Sequence, residues 1–201
     1  MKISLIVLAA GNSSRFGSNK LLFEIGKIPM YRAVVDTILK AEEKTESLFF
    51  EKIMITKYKE LIQDPYLLQH FRIIVNPNSE RGISSSIQLG IEGSDKSADA
   101  WCFLVCDQPY LKSETICNLI AGWEKSNKEL GCVVYKEQLG NPTIFKNKYR
   151  DEFMKLTGDV GGKGIIKAHI RDVFCYVVDD EKELEDIDEM KNEETHTPGN
   201  C

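Results

Sequence analysis

The chain is 201 residues long, the size of one domain or slightly more; its 42% hydrophobic and 28% charged residues exclude disordered, collagen-like and coiled-coil classes. The net charge of -5 is unevenly spread: Asp179 to Glu194 holds ten acids against two lysines, net -8, which leaves 24 basic and 21 acidic residues elsewhere, net +3. That balance suits a small anionic substrate, and without a basic stripe carrying interleaved aromatics no nucleic-acid partner is expected.

In chain order, the first apolar run, Ile3 to Ala10, falls far short of the roughly 18 residues of a membrane span and contains Ser4, so no membrane crossing is expected. Lys2 before the run and Ala9, Ala10 and Gly11 after it fit a secretory signal. A buried strand explains the run equally well and also explains the Gly/Ser/Arg loop that follows. Further strands are predicted at 52–56, 71–75, 101–105, 132–135 and 173–178, all rich in Ile, Val and Phe. Tyr31, Val34, Val35 and Ile38 repeat at helical spacing behind Pro29, a residue that suits a helix start, and Ile116, Leu119, Ile120 and Trp123 repeat the pattern. The alternation predicts a single α/β domain over 1–194, with helices covering both faces of a mostly parallel sheet and ligands bound at the strands' carboxyl ends. Residues 195–201 read as a mobile tail.

Six cysteines without a Cys-x-x-Cys pair read as buried reduced thiols of a cytoplasmic protein. His70, His169 and His196 lack metal-ligand spacing and are assigned no role.

Chemistry is first legible in the loop after Leu8. Small residues at 9–14 let a ligand reach backbone amides, and Arg15 and Lys20 supply cations for phosphate oxygens. Gly11 and Gly17 are wrongly spaced for a Walker A loop and form no Gly-x-Gly-x-x-Gly fingerprint. On composition alone, an exposed Gly/Ser turn with two incidental cations fits as well.

The run Leu8 to Lys20, LAAGNSSRFGSNK, resembles the signature of nucleotidyltransferases that activate a phosphate-bearing molecule with a nucleoside triphosphate. Its particular likeness is to the molybdenum cofactor cytidylyltransferase (MobA/MocA-type) branch. Cys106, Asp107, Gln108 and Pro109 match the family's metal-binding aspartate segment. The resemblance implies a Rossmann-like three-layer sandwich of the nucleotide-diphospho-sugar transferase type. It also implies a nucleotide site formed by Leu8, Ala9, Ala10, Gly11, Ser13, Ser14, Arg15, Lys20, Gly82, Ser86 and Gln108, with Arg15, Lys20 and Asp107 catalytic. Asn76, Pro77 and Gly82 to Gly90 carry the middle of the likeness; a helix start capped by serines is the ordinary reading of that segment.

Gly140, Asn141 and Pro142 are similar to the family's glycine-histidine-proline turn before a strand, and 158–163 to its glycine-aspartate-glycine element. This implies that Gly140, Asn141, Asp159 and Gly161 lie near the acceptor. Asp186, Ile187 and Asp188 resemble the Asp-Ile-Asp element, so Asp186, or Asp188, joins Asp107 around Mg2+; a solvated acidic face is the ordinary reading of that run. Three departures stand out: Asn141 for histidine, Lys163 for arginine, and Glu189 and Met190 in place of threonine and proline.

Ala9 and Ala10 replace the Ala-Gly-Gly style of related guanylyltransferases, and a methyl group at 10 narrows the room near the base, favouring CTP. The implied reaction is attack by the terminal phosphate of molybdenum-loaded molybdopterin on the α-phosphorus of CTP. A recipient molybdenum enzyme would meet the product transiently. Two other readings stay open: transfer to another phosphorylated small molecule such as a sugar phosphate, and a non-catalytic carrier of the finished cofactor.

Overall fold

The computed structural model describes residues 1–11, 19–45 and 47–187. Ser13, Ser14, Arg15, Asp188 and the 195–201 tail named above lie outside them. The first strand, β1 (Ile3–Ala9), is buried at every position but Leu8, which is partly buried. A two-strand ribbon, β2 (Glu24–Ile25) with β3 (Ile28–Pro29), leads into helix α1 (Met30–Lys44). Then come β4 (Glu51–Thr56), α2 (Lys59–Ile62), α3 (Pro65–His70), β5 (Arg72–Val75), α4 (Ile83–Gly93) and β6 (Ala100–Val105). The second half holds α5 (Ser113–Ser126), β7 (Leu130–Tyr135), β8 (Gln138–Lys146), α6 (Arg150–Met154), α7 (Lys163–Ala168) and β9 (Val173–Val177).

Seven strands form one sheet in the order β5-β4-β1-β6-β8-β7-β9. It is mostly parallel, as the continuous apolar runs imply, because both faces are covered. On one face the buried stripe of α1 (Val34, Val35, Ile38) and that of α5 (Ile116, Leu119, Trp123) pack on Leu5, Val7 and Leu104. On the other, Ile87 and Ile91 of α4, Phe153 of α6, and Ile165 and Ile166 of α7 pack on Ile6, Ile55, Phe103 and Phe145. These are the helical stripes the spacing predicts.

The exception to parallel pairing is β8, antiparallel to both β6 and β7. Gly140, Asn141 and Pro142 therefore lie within a strand rather than in a turn before one. The register jumps between Cys132 opposite Thr143 and Val133 opposite Gly140, so Asn141 and Pro142 form a bulge. Proline, with no N–H for the ladder, is tolerated at such a place.

Strand order sets the location of the crevice. The chain leaves β1 toward β4 and β5 on one side, then returns to place β6 on the other. Adjacent connections diverge at this switch point, leaving a gap at the carboxyl ends of β1 and β6.

Candidate active site

Leu8 pairs with Val105 at the end of the β1–β6 ladder, and Cys106 N donates to Leu8 O at 3.2 Å. Beyond this the two strands part, and a cavity of about 380 Å³ opens. One wall is the segment after β1, Ala9 to Gly11. Thr56 Oγ1, at the end of β4, donates to Ala9 O at 3.0 Å, and Tyr58 OH donates to Gly11 O at 2.5 Å. These hydroxyls occupy carbonyls of the segment and so fix its course.

Lys20 and Asp107 line the same cavity, with Lys20 Nζ 2.8 Å from Asp107 Oδ2. The Lys20 side chain is 10% exposed and that of Asp107 25%, so the cation is set deep with its carboxylate partner nearer solvent. Cys106, next in the wall, is fully buried; burial pushes its thiol above the usual thiol range and the Asp107 charge pushes it further. It remains a protonated thiol, excluded as a nucleophile at neutral pH.

The opposite wall is built by Ser79, Gly82 and Ser86 with Asp159. Gly82 sits at φ 89°, ψ 178°, a conformation open essentially to glycine alone. A Cβ there would stand 2.3 Å from Gly158 C and 2.6 Å from Asp159 Oδ1, so its lack of a side chain lets the 158–159 loop close on the start of α4. Asp159 Oδ1 accepts from Ile83 N at 3.3 Å, and Gly158 O accepts from Ser84 N at 3.2 Å. The helix thus starts where the serine run suggests, but Asp159 and Gly158 take its first amides. Ser86 Oγ instead accepts from Asn76 Nδ2 at 2.9 Å.

Gln108 is buried and absent from the cavity wall. Its Nε2 donates to Leu184 O at 3.1 Å and to Asp186 Oδ1 at 2.8 Å, while Ile187 N donates to Asp107 O at 3.0 Å. The segment around Asp186 therefore crosses directly beside Asp107, although 79 positions separate the two aspartates. Mg2+ takes oxygen ligands, commonly one or two carboxylates completed by substrate phosphates and water. Asp107 and Asp186 fit that donor set, and Gln108 Oε1 beside them is a buried oxygen with no hydrogen-bond donor. Among the described residues no group of three His, Cys, Asp or Glu side chains is placed to hold a metal ion.

Of the residues named from the sequence, Leu8, Ala9, Ala10, Gly11, Lys20, Gly82, Ser86, Asp107 and Asp159 share the cavity. Gly140, Asn141, Gly161 and Asp186 do not line it. Gly140 lies under Leu184, whose Cδ2 would be 2.5 Å from an added Cβ, and a Cβ on Gly161 would touch Ile83 and Ile87. Ser79, Thr56 and Tyr58 were not singled out from sequence, although a threonine ending a strand next to β1 is the signal that marks Thr56.

The family model for MobA-like NTP transferase domains matches residues 5–173. The chain belongs to that family. Among solved structures, Rv0371c from Mycobacterium tuberculosis H37Rv in complex with manganese is similar at TM-score 0.72 and 20% identity over 89% of both chains. The 4-diphosphocytidyl-2C-methyl-D-erythritol synthase of Anaerococcus prevotii follows at 0.71 and 15%, over 94% of this chain and 93% of that one. Molybdopterin-guanine dinucleotide biosynthesis protein A from Archaeoglobus fulgidus gives 0.58 and 16%, over 87% and 83%. At such identities these likenesses establish the fold, that of nucleotide-diphospho-sugar transferases. No curated protein sequence matches the chain. As a MobA-like transferase domain it is a nucleotidyltransferase, of a family whose members take a nucleoside triphosphate and a phosphorylated acceptor. No helix among the described residues is long and apolar enough to cross a membrane.

Proposed function

We propose that the protein transfers CMP from CTP to the terminal phosphate of molybdenum-loaded molybdopterin, releasing pyrophosphate and forming the cytosine dinucleotide. The observation that carries this reading is the buried Lys20–Asp107 pair at the mouth of the β1–β6 crevice, with Asp186 alongside. A lysine and a carboxylate so placed serve the two charges of a magnesium–triphosphate: Lys20 binds phosphate oxygens, and Asp107 with Asp186 holds Mg2+. Mg2+, when bound, offsets charge on the triphosphate oxygens as the pyrophosphate leaves. Arg15 adds a second cation, and amides of the Ala9 to Ser14 segment supply further donors. The acceptor phosphate is ionised at neutral pH and needs no general base.

The choice of CTP rests on Ala10, which lines the cavity and whose methyl group narrows the room left for a base, favouring a pyrimidine over a bulkier purine. The molybdopterin acceptor is supported by the family and by the Archaeoglobus neighbour's name. A second reading, cytidylyl transfer to another small phosphorylated acceptor, is favoured by the Anaerococcus synthase, which covers more of this chain at a higher TM-score. A non-catalytic carrier has no need of a lysine paired with a carboxylate in the cavity.

The test is Mg2+-dependent pyrophosphate release with molybdenum-loaded molybdopterin, using CTP, GTP, ATP or UTP and Asp107→Ala as blank. Release confined to CTP and lost in the variant is expected. Release only with sugar or polyol phosphates establishes the second reading, and binding of the finished dinucleotide without turnover establishes the carrier.

A further inference from the structure

The segment 180–187, the last described stretch, reaches the site by a chain of buried contacts that the Asp-Ile-Asp likeness does not account for. Glu183 is only 3% exposed. A carboxylate so buried is costly unless its oxygens are satisfied, and here three donors do so. Lys112 Nζ lies at 2.9 Å, Lys112 N at 3.2 Å and Thr115 Oγ1 at 2.5 Å. The last two belong to the start of α5, whose N-cap residue, Lys112, makes no side-chain cap bond of its own. Glu183 therefore caps α5 from a segment about 70 residues away, at the helix end where negative charge is favoured. Hydrogen bonding to Glu183 in turn raises the Lys112 ammonium above its ordinary range.

Beyond Glu183 the contacts run residue by residue toward Asp107. Leu184 is buried over Gly140 and gives its carbonyl to Gln108; Asp186 takes the second Gln108 proton; Ile187 N closes on Asp107 O. Gln108 thus bridges the strap and the loop after β6, with one amide nitrogen spanning two acceptors.

We propose that Glu183 and Gln108 are positioning residues: by clamping the 183–187 segment to α5 and to the loop after β6, they hold the stretch that carries Asp186 against the Asp107 backbone, and so set the affinity for the divalent cation that the two aspartates would share. This inference rests on the metal reading under Proposed function. Neither residue touches substrate; both act through Asp186. Loss of groups that orient a metal ligand typically costs 10- to 100-fold in metal affinity.

The experiment measures Mn2+ binding by the full chain in the presence of CTP, from the spin-resonance signal of free Mn2+, alongside thermal unfolding. Glu183→Ala and Gln108→Leu are expected to weaken Mn2+ binding about 10-fold or more. Glu183→Gln, which keeps an acceptor for Thr115 and the Lys112 amide, is expected to stay within about threefold of wild type. Thr115→Val, in which Glu183 remains, provides a milder variant should Glu183→Ala fail to fold, with an expected several-fold loss. At saturating Mn2+ the KM for CTP should be unchanged and kcat restored, a separation that general damage to the fold would not produce.

If Glu183→Ala, Gln108→Leu and Thr115→Val are folded and bind Mn2+ within twofold of wild type while Asp107→Ala does not bind it, the clamp is overturned and the metal site stands. Absence of Mn2+ binding in the wild type with CTP overturns both.

Discussion

Gly82→Ala separates the geometric account of the cavity from a purely local one. The substitution forces an L-residue into φ 89°, ψ 178°, at a cost of about 1–3 kcal/mol. Its Cβ would also lie 2.3 and 2.4 Å from Gly158 C and O, backbone atoms that cannot turn aside as a side chain can. Overpacking of this kind adds about 1–3 kcal/mol, for a total of about 2–6 kcal/mol out of a typical 5–15. The least costly relief is for the 158–159 loop to lift, breaking the bonds from Ile83 N and Ser84 N and opening the wall that carries Asp159. Urea unfolding should show that loss with an unchanged m-value, and calorimetry with Mg2+ and CTP should show binding at least about 10-fold weaker. Gly158→Ala is the matched control: its φ of 64° is also positive, but an added Cβ meets nothing within 4 Å, so only a backbone cost of about 1–2 kcal/mol is expected. Equal losses in the two variants, or wild-type CTP affinity in Gly82→Ala, would refute the claim that the loop closes on Gly82.

Lys20→Met keeps the volume of the buried stem and removes the cation beside Asp107; kcat should fall about 100- to 1,000-fold while the urea midpoint changes little, and near wild-type turnover would sink the role of Lys20. Cys106 and Cys102, buried and held protonated, should resist iodoacetamide at pH 8 in the native state while exposed Cys175 is labelled; peptide mass spectrometry that finds native Cys106 alkylated would contradict the packing of the β6 end. Tyr31, buried and donating to Asp64 at 2.5 Å, is pushed up to about 12 by burial first and by Asp64 second. The folded state therefore holds this proton more tightly than the unfolded chain does. Its contribution to stability is complete below about pH 10 and is lost as pH rises through 12. Melting curves should accordingly show wild type losing its advantage over Tyr31→Phe across that interval, and a constant gap would contradict the assignment.

Much of the sheet was legible before any coordinates, because a strand covered on both faces must be apolar throughout and a helix lying on it must carry a stripe. Ile3 to Leu8 and the Tyr31 to Ile38 stripe report those requirements locally. The start of β8 was not legible, because Gly140, Asn141 and Pro142 read as a turn ahead of the strand; only the pairing with β6 and β7 turns them into a bulge within it. The wall that carries Lys20 and Asp107 was legible for the same local reason, since the Leu8 to Lys20 run and Asp107 each follow a strand directly. Gln108 shows the limit. The family resemblance implied contact with nucleotide, whereas successive side chains leave the backbone in different directions, and this one turns inward to hold Asp186.

The sequence by itself determined the α/β alternation, the small-residue loop with its cations and the aspartate after the fourth apolar run, because each depends on neighbours a few residues apart. Tertiary structure alone decided that Lys20 meets Asp107, that Gly82 lies under Gly158, that Glu183 meets the start of α5, and that Gln108 holds Asp186. Those pairings span roughly 70 to 90 residues and follow from strand order and the burial of polar groups, neither of which has a period or a spacing that a linear chain displays.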